Sequence, residues 1–173
     1  MYITVGLGNP GDQYAHTRHN TGRMALEYLQ KRTLRAVKFV HIDTFMNKSG
    51  SGVVKVVKSK KAAEKLIVIH DDLDLPLGSL KVSYGRGSGG HKGVESIIKA
   101  LKTKDFIRIR IGIGLPALPS QEQAGKKKDV EKHILGEFKK PEMEILKKVF
   151  KRASDAVEMI ATEGLSRAMT EFN

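Results

Sequence analysis

Residues 1–11, MYITVGLGNPG, decide how the rest of the chain is read. Tyr2 to Val5 has the make-up of a short strand, and Gly6, Gly8 and Gly11 then satisfy the pattern G-x-G-x-x-G letter for letter. From about Thr21 to Lys31 a helical period follows, with Ala25, Tyr28 and Leu29 on one face. A strand that passes through glycines into a helix predicts α/β layering. A dinucleotide site needs more: a third glycine inside a helix packed on the strand, then a second strand ending in an acid about twenty residues on. Counting on from Gly11 reaches Lys31, still within the helical period; Glu27 is mid-helix and Asp43 is too far along. The letters match and the context fails. Gly6 and Gly8 are therefore read as turn geometry. Asn9, held between glycine and proline, is the displayed side chain, with an Asx turn as the competing role.

Working outward, Ala36 to Asp43 reads as a second strand, and Ser49 to Lys58 as a helix capped by Ser49 or Ser51. Leu66 to Ile69 is a continuous apolar run, the pattern of a strand buried on both faces, with His70-Asp71-Asp72 at its end. Leu80 to Tyr84 is a further strand. A helix starts near His91, because Val94, Ile97, Ile98 and Leu101 recur at helical spacing. Ile107, Ile109, Ile111 and Ile113 alternate with Arg108, Arg110, Gly112 and Gly114, a strand with one apolar face and one polar or small face. Leu115 to Lys128 reads as a surface loop. Pro141 opens the longest helix, Gly164 ends it, and a short terminal helix follows. The expected architecture is a single α/β/α domain over 1–173, three layers around a twisted mixed sheet, with a long C-terminal helix.

Thirty-one Lys and Arg against nineteen Asp and Glu leave a formal charge of +12, a field that attracts polyanions and makes nucleic acid the first partner to consider. The chain has no cysteine, which excludes disulfides, thiolate zinc sites and a Cys nucleophile. No apolar run approaches transmembrane length and the N-terminus lacks a signal-peptide pattern, so the expectation is a soluble cytoplasmic protein that does not engage membranes.

Of the six histidines, His16, His41 and His133 read as surface or packing residues and His70 as a core residue. His19, before a helix, and His91, in a glycine-rich loop, have the exposure that chemistry needs. A histidine acting as general base requires a carboxylate on its far nitrogen to fix the tautomer, and Asp71 is the natural orienter. His70, Asp71, Asp72 and His91 could also ligate a metal. The absence of a His-x-x-x-His pair, a dense oxygen loop and any Cys puts that reading well behind.

Taken in order, GLGNPGDQYAHTRHNTG, TFMNKSG, HDDLDLP, GSGGHKG and RIRIGIG make the chain resemble the bacterial-type peptidyl-tRNA hydrolase family from Tyr2 to the terminal helix. The resemblance implies hydrolysis of the ester between a peptide and the 3′ ribose of tRNA, by a monomer that needs no cofactor and no metal. It implies that His19 activates water, that Asp71 holds His19 in its basic form, and that Asn9 helps separate blocked peptidyl from free aminoacyl substrates. Asn47 would bind substrate and stabilise the oxyanion, with Tyr14 and Phe45 in the pocket for the 3′ end. The loop Gly85–Gly93 would flank the cleft, with His91 and Lys92 at the substrate; Lys92 stands where the family has asparagine, and phosphate binding near the CCA end is its expected role. Arg110 matches an arginine linked to the tRNA 5′ phosphate. Ser83 replaces its usual lysine partner, and Arg86 is the expected substitute. Between the first helix and TFMN only about a dozen residues, Thr33 to Thr44, replace a longer family segment. The contender from another class is a non-catalytic RNA-binding protein on the same scaffold, as in organellar splicing factors, and a nucleotide-dependent oxidoreductase is a distant third.

Overall fold

The computed structural model describes residues 1–114 and 127–173. Five strands, β1 (Tyr2–Gly6), β2 (Val37–Val40), β3 (Leu66–Pro76), β4 (Leu80–Tyr84) and β5 (Ile107–Gly114), form one sheet in the order β2-β1-β3-β5-β4. All neighbours are parallel except β4 and β5, so the sheet is mixed. The short segment after the first helix thus still supplies an edge strand, β2.

Seven helices are described: α1 (Thr21–Leu29), α2 (Ser49–Val53), α3 (Lys60–Ala63), α4 (Lys92–Leu101), α5 (Lys127–Leu135), α6 (Lys140–Thr162) and α7 (Leu165–Phe172). The run Leu66–Ile69 shows why they occupy both faces. Side chains alternate along a strand, so Ile67 and Ile69 enter a core shared with α1, α6 and α7, while Leu66 and Val68 enter a second core with α2, α3 and α4. All four are fully buried, each contributing about 2 kcal/mol by leaving water. The three layers follow from that alternation.

Several local expectations are corrected. Gly6 and Gly8 do not serve a left-handed turn; of the three opening glycines only Gly11 has positive φ, at 103°. Gly6 and Gly22 instead let α1 touch both β1 and β3: a Cβ on Gly22 would land on the Ile69 carbonyl of β3, and one on Gly6 of β1 would land on the Gly22 carbonyl. Neither Ser49 nor Ser51 caps α2. Their hydroxyls donate to the Met46 and Lys48 carbonyls, and the helix stops at Val53. β3 continues past its apolar run to Pro76, because β5 keeps pairing with it through Asp71 and Asp72. β5 is buried on both faces, Arg108 included, at 4% exposure. The expected loop Leu115–Lys128 lies outside the described residues except for its last two, which open α5, a helix that the sequence reading did not anticipate.

α6 begins one residue before Pro141, where the Glu142 carboxylate accepts from the Lys139 N–H. At the far edge of the sheet, the side-chain amide of Asn173 accepts from the Val82 N–H at 2.7 Å and donates to the Val82 carbonyl at 2.9 Å. It serves β4 as a neighbouring strand would. No described helix is long and apolar enough to cross a membrane.

Candidate active site

His19 lies in a 3-10 turn, Arg18–Asn20, that runs directly into α1. Because Gly22 seats α1 against the Ile69 carbonyl, the turn is brought up to the stretch of β3 that carries Asp71. His19 Nδ1 is 2.9 Å from Asp71 Oδ2, and both side chains are buried. The other carboxylate oxygen is also engaged: His91 Nε2 lies 2.9 Å from Asp71 Oδ1.

The tautomer of His91 is fixed by its position as the N-cap of α4. Its Nδ1 accepts from the Gly93 and Val94 N–H groups at 3.2 and 3.3 Å. Nε2 therefore carries the proton and donates to Asp71. One carboxylate thus receives an N–H from each of two imidazoles whose rings lie 5.0 Å apart. Burial pushes the Asp71 carboxyl up, but His91 and His19 more than offset this and hold it well below the usual carboxylate range. Asp71 is thus charged across the physiological range. With Nδ1 donating to Asp71, the neutral ring of His19 has its lone pair on Nε2, which is the form a general base needs.

His70, read from the sequence as a core residue, is buried at 2% exposure but also lines the site. Its Nδ1 donates to the Asp71 carbonyl at 2.7 Å and its ring stands edge-on to His91, with centroids 4.7 Å apart. Burial, reinforced by the nearby His91, pushes its pKa well below the ordinary histidine value.

Asn9 is held by three contacts. Its N–H donates to Asn20 Oδ1 at 2.8 Å, its carbonyl accepts from Asn20 Nδ2 at 2.9 Å, and its Oδ1 accepts from the Met46 N–H at 2.8 Å. With Oδ1 occupied, Nδ2 is the end left to face the cavity. Asn20 is thus the residue that aims Asn9, a role the sequence reading missed although the run Thr17-Arg18-His19-Asn20 lay in view.

A cavity of about 940 Å³ opens beside these groups, with Asn9, His19, Phe45, Asn47, His91 and Lys92 in its wall. Phe45 is 54% exposed, the most open aromatic face there. Arg86, Arg108 and Arg110 also line the cavity and supply positive charge. Burial, together with Arg110, lowers the pKa of Arg108, and Arg110 Nε donates to Asp72 at 2.7 Å. Asp72 and Arg108 are site residues that periodicity could not single out. Ser83 does not reach this group: it is buried at 4% exposure and paired with Arg108 across β4 and β5. Val130 and Ile134 of α5 close another side, and His133 Nε2 anchors that helix to the Ile113 carbonyl at 2.8 Å. Tyr14 is the expected site residue that the structure does not bring here. It is half-buried in an earlier turn, where its carbonyl accepts from the Thr17 N–H and hydroxyl, and it is not part of the cavity wall.

Among the described residues, His19, Asp71 and His91 form the one group with metal-ligand atoms close together, within 4.8 Å. The separations are those of hydrogen bonds, and a cation would require His91 Nε2 to lose the proton that the α4 amides fix there. The donor set fits a proton-transfer site better than a metal centre.

An imidazole hydrogen-bonded to a buried carboxylate, set on an α/β sheet and opening into an arginine-lined cavity, is an arrangement able to serve hydrolysis of a polyanionic ligand. A profile of the peptidyl-tRNA hydrolase family matches residues 3–173, and the chain belongs to that family. It is 39% identical to the peptidyl-tRNA hydrolase of Thermodesulfovibrio yellowstonii, over 100% of this chain and 99% of that one. It is 38% identical to the Syntrophotalea carbinolica enzyme, over 100% and 97%. The crystal structure of peptidyl-tRNA hydrolase from Acinetobacter baumannii matches with a TM-score of 0.85 at 31% identity, covering 100% of this chain and 94% of that chain.

Proposed function

We propose that the chain hydrolyses the ester that joins a peptide to the 3′ ribose of tRNA, recycling tRNA from peptidyl-tRNA released early by ribosomes. The observation that carries the reading is the His19–Asp71 hydrogen bond at 2.9 Å, which directs Nδ1–H to the carboxylate and leaves Nε2 as the nitrogen that can act as a base.

His19 Nε2 removes a proton from a water molecule as that water attacks the ester carbonyl carbon. The imidazolium formed is stabilised by the Asp71 carboxylate. The carbonyl oxygen becomes an oxyanion, met by the Nδ2 donor of Asn9, whose Oδ1 is pinned by Met46, and by the amide of Asn47. Preorganised donors of this kind typically lower an acyl-transfer barrier by about 3 kcal/mol each. When the intermediate collapses, the C–O bond to the ribose breaks, and the 3′ oxygen takes the proton back from His19 and leaves as a hydroxyl. The products are tRNA and the peptide's carboxylic acid, which releases its proton to solvent and leaves as the carboxylate.

Phe45 offers a stacking face for a terminal base, and Lys92, Arg86 and Arg110 offer cationic groups for its phosphates. Arg86 takes the part expected of the absent lysine at Ser83. Tyr14 has no part in this reading. The substrate sets the compartment as the cytoplasm, where translation supplies it. The same reading takes the chain as one domain, supported by a single sheet shared by both cores, and as a monomer.

The test is release of the blocked amino acid from N-acetyl-aminoacyl-tRNA by purified protein. Wild type releases it and His19→Ala does not. A wild type that binds tRNA but releases nothing would make the chain a binder on this scaffold.

A further inference from the structure

The hydrogen bonds around Asp71 leave one buried imidazole without a step in the reaction. His70 is adjacent to Asp71 in sequence, lines the same cavity, and holds two contacts that both bear on the base–carboxylate pair. Its Nδ1–H donates to the Asp71 carbonyl, which fixes the main chain from which the carboxylate projects. Its ring stands against the His91 ring, on the imidazole that donates to the second Asp71 oxygen. Among the described residues, His70 Nε2 is buried without a hydrogen-bond partner. An imidazole kept for packing alone would be replaced by an apolar ring at no such cost.

We infer that His70 is a positioning residue: its hydrogen bond to the Asp71 carbonyl and its contact with His91 keep the carboxylate shared between two imidazoles, and so set the basicity of His19. The inference rests on the reading of His19 as the base. A carboxylate that accepts a single N–H gives all its charge to one partner and stabilises that partner's protonated form strongly. A carboxylate that accepts two divides its charge. Holding His91 in place therefore stops Asp71 from converting His19 into a permanent imidazolium, which could not take a proton from water. For the same reason His70 must itself stay neutral. The charged or titratable groups facing it are His91 at the head of α4, Asp71 on its own strand and Arg108 on β5. Two of the three oppose a positive charge on His70, and burial opposes it further.

The experiment is an NMR titration of the His19 ring in wild type, His70→Leu, His70→Asn and His70→Gln, with kcat and KM measured for each. Asparagine places an amide N–H where the imidazole Nδ1–H stands and does not titrate; leucine removes the donor; glutamine sets it one bond too far out. In His70→Leu and His70→Gln, His19 is expected to titrate at least about half a pH unit higher than in wild type. At neutral pH each half unit of that rise lowers kcat by up to about threefold through loss of the neutral imidazole, with KM unchanged. His70→Asn restores the donor to the Asp71 carbonyl but not the ring against His91, and is expected to titrate and turn over between wild type and those two variants. An unmoved His19 titration in whichever of the leucine and glutamine variants folds would overturn the inference, as would an asparagine variant that shifts as they do. The titration needs no substrate. A wild type that titrates as stated but hydrolyses nothing removes the proposed function alone, and an active wild type with unmoved variants removes this inference alone.

Discussion

Replacing Asp71 by asparagine changes one oxygen to an NH2 group and, through the bonding around it, reverses the tautomer of His19. His91 cannot adapt without cost, because its Nδ1 accepts from the Gly93 and Val94 N–H groups and its Nε2 must therefore donate. The single oxygen of the introduced amide is drawn to that donor. The amide N–H then faces His19 Nδ1, which becomes an acceptor, and the proton moves to Nε2, where the base should have its lone pair. The opposite amide orientation restores the productive His19 but forces His91 to give up both α4 contacts. At about 1 kcal/mol for each neutral hydrogen bond, that orientation lies about 2 kcal/mol higher. At 1.36 kcal/mol per tenfold, about one molecule in thirty holds it. The loss in kcat is thus at least about 30-fold, and it extends towards the ~10⁴-fold reached when general-base catalysis is removed entirely. KM stays near wild type, since the cavity wall is otherwise untouched. The assay is single-turnover release from N-acetyl-aminoacyl-tRNA, read beside the ¹⁵N shifts of the His19 ring, which report the tautomer directly. An Asp71→Asn protein that keeps more than a tenth of wild-type kcat, or whose His19 still protonates Nδ1, would refute the reasoning.

Stability should fall with acid in a way traceable to His70. Its folded pKa lies well below 6.5, so between those two values the unfolded chain binds a proton that the folded chain does not. Stability is complete above about pH 6.5 and declines as pH falls, by at most about 1.4 kcal/mol per unit from this group; urea unfolding of His70→Asn should show a shallower slope. Arg110→Gln should raise KM more than it lowers kcat, and reduce the slope of log kcat/KM against log salt by about one, if Arg110 meets a phosphate; an unchanged slope would remove it from the tRNA-facing set. Asn173→Ala deletes both hydrogen bonds to Val82 and should cost about 1–2 kcal/mol in urea unfolding, with faster amide exchange confined to β4.

The sequence carried the layering well because the relevant signal is local. Four apolar residues in a row, Leu66 to Ile69, have one reading in an α/β chain, and the long helical stripe after Pro141 has one reading too. It carried the pairing of His19 with Asp71 because a base needs a carboxylate and few acids sit beside buried strands. What it could not carry depends on partners distant in the chain. β3 runs on past Ile69 because β5 pairs with it, and nothing in His70-Asp71-Asp72 announces that. Arg108 alternates with isoleucines as a solvent-facing residue would, yet it is buried in the wall of the cavity. Ser49 and Ser51 have capping chemistry, but the chain enters α2 through a preceding 3-10 turn, so their hydroxyls meet carbonyls instead. His91 became more than a loop residue only when its ring was seen bonding both α4 and Asp71.

The contact between Gly22 and the Ile69 carbonyl bears on how such a site tolerates change. His19 precedes that contact by three residues and Asp71 follows it by two, so a short path through main-chain atoms joins base and carboxylate. No side chain of either core lies on that path. The cores can drift through many apolar substitutions, and with them the stability of the fold, while the spacing of the reacting groups stays put. Gly22 itself is the exception: any larger residue there would lift α1 away from β3 and carry the base out of reach in a single step.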